Sequence, residues 1–433
     1  MLPGGTKGCV LALRWFTIAL GLGVSLGAAA IAEASPLLPG DGVDANHERL
    51  QPGLYPAAPG TVDLSPPAEP FHLGPDIDWS VGFRGSYVTR EDRSRFEASL
   101  VPQASVIDER SRSLNSVSIS ADIALPVETE THLNGFNLSL TSLYRLDAET
   151  SVGGHASLVY DAPSPFAPGT DPTIARPAAT LSGSAGGSLT REFGRFALTG
   201  SGEVVRTVYG ETLNVDGTTT DNSARNLWGV SGGLRASYAL TPILTIYGDA
   251  SAGRDMFDEV DPGSGLSADA WGTAFSAGVI GRWDEILEAD VSIGAGMRRY
   301  DEAALDQIAS TLFAASLTFR PDPTLAVTAS ARQTLEPAGA DSSGLARIAT
   351  TAEIGAAYTV NSWLTLRSAA NWYSARFVGS PNTEGGHGAG MGADYLVNAH
   401  TQLSADYGFA HTNSSTHGPE DSHRVTVGIT VQR

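Results

Sequence analysis

Seven times along the chain the same short pattern recurs. An alternating strand runs to an aromatic residue, the chain turns tightly, and a second alternating strand leaves. The clearest copies are Tyr144–Thr150, Tyr238–Leu244, Tyr358–Leu364 and Tyr395–Thr401. Looser ones centre on Phe193-Gly194, Trp283-Asp284 and Phe319 to Pro323. Long alternating strands joined in hairpins, each with an aromatic near one fixed end, are the sequence form of a transmembrane β-barrel.

From Ile77 onward, strands follow one another without interruption. Eighteen are expected, at 77–89, 95–107, 115–125, 134–146, 149–161, 179–191, 195–208, 226–240, 243–256, 270–282, 286–300, 309–320, 323–334, 346–360, 363–377, 387–397, 400–411 and 423–432. Sixteen stays open, because the first three strands are the least secure and Pro102 interrupts one of them. Most exceed the ~5 to 6 residues of soluble strands and satisfy the ~9 to 11 a tilted strand needs to cross a bilayer. In one, Leu287, Ala289, Val291, Ile293, Ala295 and Met297 share a face opposite Glu288, Asp290, Ser292, Gly294, Gly296 and Arg298. Period-two alternation sends one set outward and the other inward. A soluble sandwich also alternates. Strand length, uniform hairpin order and the leader described next favour the membrane.

The first 32 residues read as a secretory leader: Lys7 and Arg14, then apolar Trp15 to Leu26, then small residues around Ala30-Ile31-Ala32 or Ala32-Glu33-Ala34. The alternative is an uncleaved anchor, against which the short apolar part and its small-residue end argue. Residues 33–75 carry nine prolines between Pro36 and Pro75 and read as an extended, disordered periplasmic linker. Residues 76–433 form the barrel. Cleavage removes Cys9 and Lys7, the only cysteine and the only lysine, so the mature chain offers no thiol chemistry. Loss of two positive charges takes the net charge from −20 to −22, which argues against nucleic acid as a partner.

Tyr144, Phe193, Tyr238, Trp283, Phe319, Tyr358 and Tyr395 all fall on the apolar face within a few residues of a short turn. One phase and one depth place them at a membrane interface, where amphipathic rings are favoured. Generic strand propensity would scatter them over both faces. Short connections alternate with long ones such as 162–178, 209–225 and 257–269. Bacterial barrels keep short turns in the periplasm, so both termini are expected there.

The run Trp79 to Arg95, followed by repeated Tyr-x-Leu/Val-turn-x-Leu/Thr units, resembles the outer-membrane proteins named putative β-barrel porin type 2, over about residues 76–433. The resemblance implies an outer-membrane barrel of the Gram-negative cell envelope, without enzymatic activity. For some members it implies a place beside exopolysaccharide export machinery. It carries no functional residue onto this chain, which ends Val431-Gln432-Arg433 rather than on the terminal aromatic common to such barrels.

Inward charges are the most specific functional signal. Arg145, Arg195, Arg235, Arg282, Arg320 and Arg367 are expected inward near short turns, as a basic ring at the periplasmic mouth. Asp249, Glu288, Asp290 and Glu353 are expected to line the pore with them. Charged rings set ion preference; salt bridges that merely stiffen the lumen are the competing account. The loop 162–178, with five prolines, either folds inward to narrow the pore or lies on the surface. Asp255, Asp258, Glu259 and Asp261 lack a calcium loop's spacing, and His411, His417 and His423 match no zinc site. No catalytic constellation is present, no cofactor is implied, and Gly385-Gly386-His387-Gly388 precedes a strand rather than a phosphate-binding helix. The expectation is a passive outer-membrane channel for hydrophilic solutes or polysaccharide export. The alternative is a closed barrel whose external loops contact surface polysaccharide, lipopolysaccharide or a protein. Membrane lipid and lipopolysaccharide are expected partners. The chain freed of its leader should fold only with detergent or lipid; a strand-rich, water-soluble monomer in sedimentation would contradict the barrel.

Overall fold

The computed structural model describes residues 75–91, 93–125, 131–262, 265–340 and 344–433. The leader at 1–32 and the Pro-rich segment up to residue 74 lie outside them. The strands are β1 Asp76–Arg90, β2 Arg93–Arg110, β3 Ser113–Ala124, β4 His132–Arg145, β5 Thr150–Asp161, β6 Ile174–Arg176, β7 Thr180–Phe193 and β8 Phe196–Tyr209. Then come β9 Thr212–Asn214, β10 Thr219–Thr220, β11 Leu227–Thr241, β12 Leu244–Phe257, β13 Ala270–Trp283, β14 Leu287–Tyr300 and β15 Ile308–Asp322. The last are β16 Leu325–Pro337, β17 Ala346–Asn361, β18 Leu364–Val378, β19 Thr383–Asn398, β20 Thr401–Ser414 and β21 Gly418–Gln432.

Eighteen of these make one sheet of antiparallel neighbours, and β1 closes it by pairing β21 from Ser80↔Gln432 to Arg90↔Ser422. Closure follows from the solvent. Hydrocarbon offers no partner to a free N–H or C=O, so an open edge cannot be left in it. The eighteen match the expected strands within a few residues, and sixteen is excluded. Pro102 is absorbed inside β2: it pairs Val81 of β1, while the register to β3 skips Val101 and Pro102. The missing N–H falls at that break.

Two expectations need correction. The last long loop, expected at 412–422, is only residues 415–417, because β20 and β21 continue as a ladder to Ser414↔Gly418. The stretch Gly385-Gly386-His387-Gly388 lies inside β19 rather than before it. Glycine is required there by packing. A Cβ on Gly386 would stand 2.7 Å from the Tyr373 ring and 2.5 Å from the His411 carbonyl.

Every connection at one end is short: residues 111–112, 146–149, 194–195, 242–243, 284–286, 323–324, 362–363 and 399–400. The long connections gather at the other end, with the small sheet β6–β9–β10 built from two of them. Phase is consistent around the wall. On β14, Val291, Ile293 and Met297 are exposed outward, and Asp290, Ser292 and Gly294 turn in. Trp271 and Trp283 cap the outward face of β13 at its two ends. At about 3.3 Å per residue and ~40° of tilt they stand roughly 30 Å apart, enough to frame the ~25 Å apolar band of a barrel.

Ile293 pairs Ala277, midway between those tryptophans, and is 66% exposed. Ile293→Arg should cost about 2–4 kcal/mol in a lipid-vesicle unfolding titration. Ser292→Arg, facing the wet side, should cost much less; equal penalties would put the two faces in one environment.

Candidate functional site

The candidate site is the lumen, and the connection between β5 and β7 is bonded to its inward wall residues. Proline-rich and apolar in places, this segment has little to gain in water and much to gain against the barrel wall. It folds inward. Arg90, the last inward residue of β1, is 1% exposed. Its guanidinium donates to the carbonyls of Pro165 (2.8 Å) and Thr170, and to the Glu420 carboxylate of β21 (2.6 Å). Ser164 Oγ donates to Glu97 on β2 (2.9 Å), which also pairs Arg424 of β21 (3.0 Å). The Phe166 ring lies 5.7 and 5.8 Å from the guanidinium carbons of inward Arg93 and Arg95. Gly169 turns at φ +80 where a Cβ would meet Tyr373 and Thr412, on β18 and β20. Residues 164–170 therefore reach from β5 and β7 across to the wall of β18–β21. Between this segment and the wall lies an open cavity lined among others by Val88, Phe166, Pro168, Ala369, Ala410 and Arg424.

The loop is also tied to the last connection, where His417 Nε2 meets Asp171 Oδ2 at 2.9 Å. Burial works to raise the Asp171 carboxyl. Donors from Thr173 and the nearby His417 outweigh it and hold the group below its ordinary value. A carboxylate depressed by its partners adds stability above its unfolded pKa and loses it as pH falls through the folded one.

The wall charges do not form one basic ring. Arg145 ends β4 on the inward phase, Arg195 sits in the turn after β7, and Arg320 points inward near the end of β15; all three are exposed. Arg282 pairs Glu288 across β13 and β14 (3.0 Å). Deeper in, Arg235 grips Asp249 through two bonds of 2.7 and 3.0 Å and lies 4.2 Å over the Tyr247 ring. Tyr247 passes over Gly278 to donate to Asp290 (2.6 Å). A Cβ on Gly278 would stand 2.5 Å from the Tyr247 hydroxyl, so β13 is bare at the crossing. Arg367, buried, holds Asp394 (2.7 Å) and Asp406 (2.8 Å). Glu353 faces inward between Ser330 and Asn371. Pairs of this kind neutralise each other locally and stiffen the wall, while Arg145, Arg195 and Arg320 have no carboxylate partner among the described residues.

The seven aromatics Tyr144, Phe193, Tyr238, Trp283, Phe319, Tyr358 and Tyr395 all point outward at the short-turn end. The acids of the supposed calcium loop are held apart by different arginines: Asp255 by Arg298, Asp258 by Arg206, Asp261 by Arg225 at 3.7 Å. His411, His417 and His423 likewise have separate partners, Asp421, Asp171 and Tyr407. Among the described residues no cluster of three or more such ligands is placed to hold a metal.

Arg90, Glu97, Glu420 and Arg424 were not singled out from the sequence. The inward phase of Glu97 and Arg424 was readable from the alternation, whereas Arg90 and Glu420 fall in connections expected from the sequence. Their common target, a loop some 75 residues from Arg90, was not.

A family model described as Putative beta-barrel porin 2 matches residues 82–433. Among solved structures, the chain is similar to OccK3 (OpdO) of Pseudomonas aeruginosa at 14% identity and a TM-score of 0.41, covering 82% of this chain and 96% of that one. OpdK of Pseudomonas aeruginosa with vanillate is 11% identical over 83% and 99% of the two chains, at 0.42. The FrpB iron transporter of Neisseria meningitidis is 11% identical over 78% and 63%, at 0.40. No curated protein matches the chain.

Removing residues 164–176 should raise single-channel conductance; an unchanged value would show that the loop constricts nothing. Acidification should loosen the loop only as pH drops below the ordinary carboxylate range near about 4. Asp171→Asn should show the same loosening, read as conductance noise, already at pH 7.

Proposed function

The chain belongs to the Putative beta-barrel porin 2 family, as an outer-membrane channel for solutes, and on that premise we propose that the inward loop sets which solutes pass. The observation that carries this reading is the anchoring of residues 164–170 by Arg90 and Glu97 inside a closed eighteen-stranded wall. A barrel of that size has room for an aqueous channel, and a loop lodged in its mouth narrows it. Passage is passive diffusion through water. Width selects first along the stretch where Arg235, Arg282 and Arg367 are matched by carboxylates, and Arg145, Arg195 and Arg320, unmatched at the short-turn end, add positive charge there. Small hydrophilic solutes fit such a passage better than a polymer, so the reading favours solute uptake over polysaccharide export.

Both termini and the short turns lie in the periplasm in this reading, and the long connections face outward. The contrast in connection length supports it.

Val215 sits in a long connection and is 67% exposed, and the one natural cysteine is Cys9. Val215→Cys should react with a membrane-impermeant maleimide on intact cells, while a cysteine at Asp284, in a short turn, should react only after lysis. The reversed pattern would invert the barrel. In planar bilayers the folded protein should give steady ion steps; silence from folded protein would mean a plugged lumen.

A further inference from the structure

At the long-loop end the outward face of five consecutive wall strands carries arginine and tryptophan in register. Arg206 of β8 stands opposite Trp228 of β11, Arg254 of β12 opposite Trp271 of β13, and Trp271 opposite Arg299 of β14. The guanidinium of Arg206 lies 5.2 Å from the Trp228 ring and that of Arg254 lies 5.3 Å from the Trp271 ring. Beneath them runs bare apolar surface: Val230 and Leu234, Phe275 and Val279, Val291 and Ile293. Cations so placed sit where hydrocarbon ends and head groups begin, with the rings fixing their depth.

The charge is one-sided. At the short-turn end the outward residues of the same strands are Phe196, Leu198, Tyr238, Ile246, Trp283 and Leu287, none of them charged. Anchoring in a generic bilayer needs no such asymmetry. Within the row, Arg206 is held by Asp258 (2.8 Å) and Arg254 by Asp301 (2.7 Å). That second bond carries the Arg254 head across β13 to the end of β14, beside Arg299. Exposed Arg299 has no carboxylate partner among the described residues.

We propose that Arg254 and Arg299, framed by Trp228 and Trp271, bind a phosphate of a phosphorylated glycolipid in the outer leaflet. Guanidinium matches a phosphate by paired hydrogen bonds, and at the membrane boundary those bonds are less weakened by water. Placement in the outer leaflet rests on the orientation proposed above; the binding itself does not.

The test uses detergent-folded full barrel and follows tryptophan fluorescence during titration with a phosphorylated lipid A, the same glycolipid dephosphorylated, and inorganic phosphate. The phosphorylated lipid should bind about tenfold or more tighter than either control. Arg254→Gln with Arg299→Gln should erase that margin, the two Lys replacements should keep part of it, and Asp301→Asn should widen it by freeing Arg254. Equal affinity for the two glycolipids, an unchanged margin in the Gln pair, or equally tight inorganic phosphate would overturn the site. If the Gln pair fails to fold, Asp301→Asn alone decides, since an unwidened margin contradicts the proposal. The Val215→Cys labelling separately reports the leaflet.

Discussion

An amide left unpaired in hydrocarbon costs several kcal/mol, about the scale of a whole domain's stability. The pairing of β1 with β21 meets that constraint for the whole wall, since it removes the last two edges. Closure in turn divides every strand into a face toward lipid and a face toward water. The outward set is exposed and apolar from Trp79 on β1 to Val431 on β21. Between the two ends of the wall the charges lie on the inward set, with Asp249, Asp290 and Glu353 among them. Lumen, girdles and loop anchor all depend on that division.

Inside, a second physical rule takes over. An arginine taken from water needs a carboxylate or several carbonyls to repay its desolvation. Arg235, Arg298 and Arg367 find carboxylates on neighbouring strands, which stiffens the wall. Arg90 finds two loop carbonyls and Glu420, which brings a long connection into the mouth. The same chemistry therefore serves rigidity in one tier and constriction in another.

The wall was legible to a high degree. Period two gave each strand its phase, so Tyr144 and Arg145, adjacent in the chain, could be sent to opposite faces. The glycines of β19 misled, because glycine reads as a turn and here it is space for the Tyr373 ring, a demand set by the next strand. The charge groups were half legible. Their inward phase was visible, but depth within the lumen was not, so Arg235 was grouped with residues of the mouth. The Arg–Trp row on β8 to β14 was invisible in the chain, since its members come together only through register across four hairpins.

What the sequence determined by itself is the class of fold, the strand number to within one hairpin and the side most wall residues face, because alternation and turn chemistry are local and repeat in every hairpin. What only the tertiary structure decided is which charges meet and where the long loop goes. Those depend on register around a closed ring and on contacts between residues hundreds of positions apart, such as Arg90 with Glu420, for which neighbouring residues carry no signal.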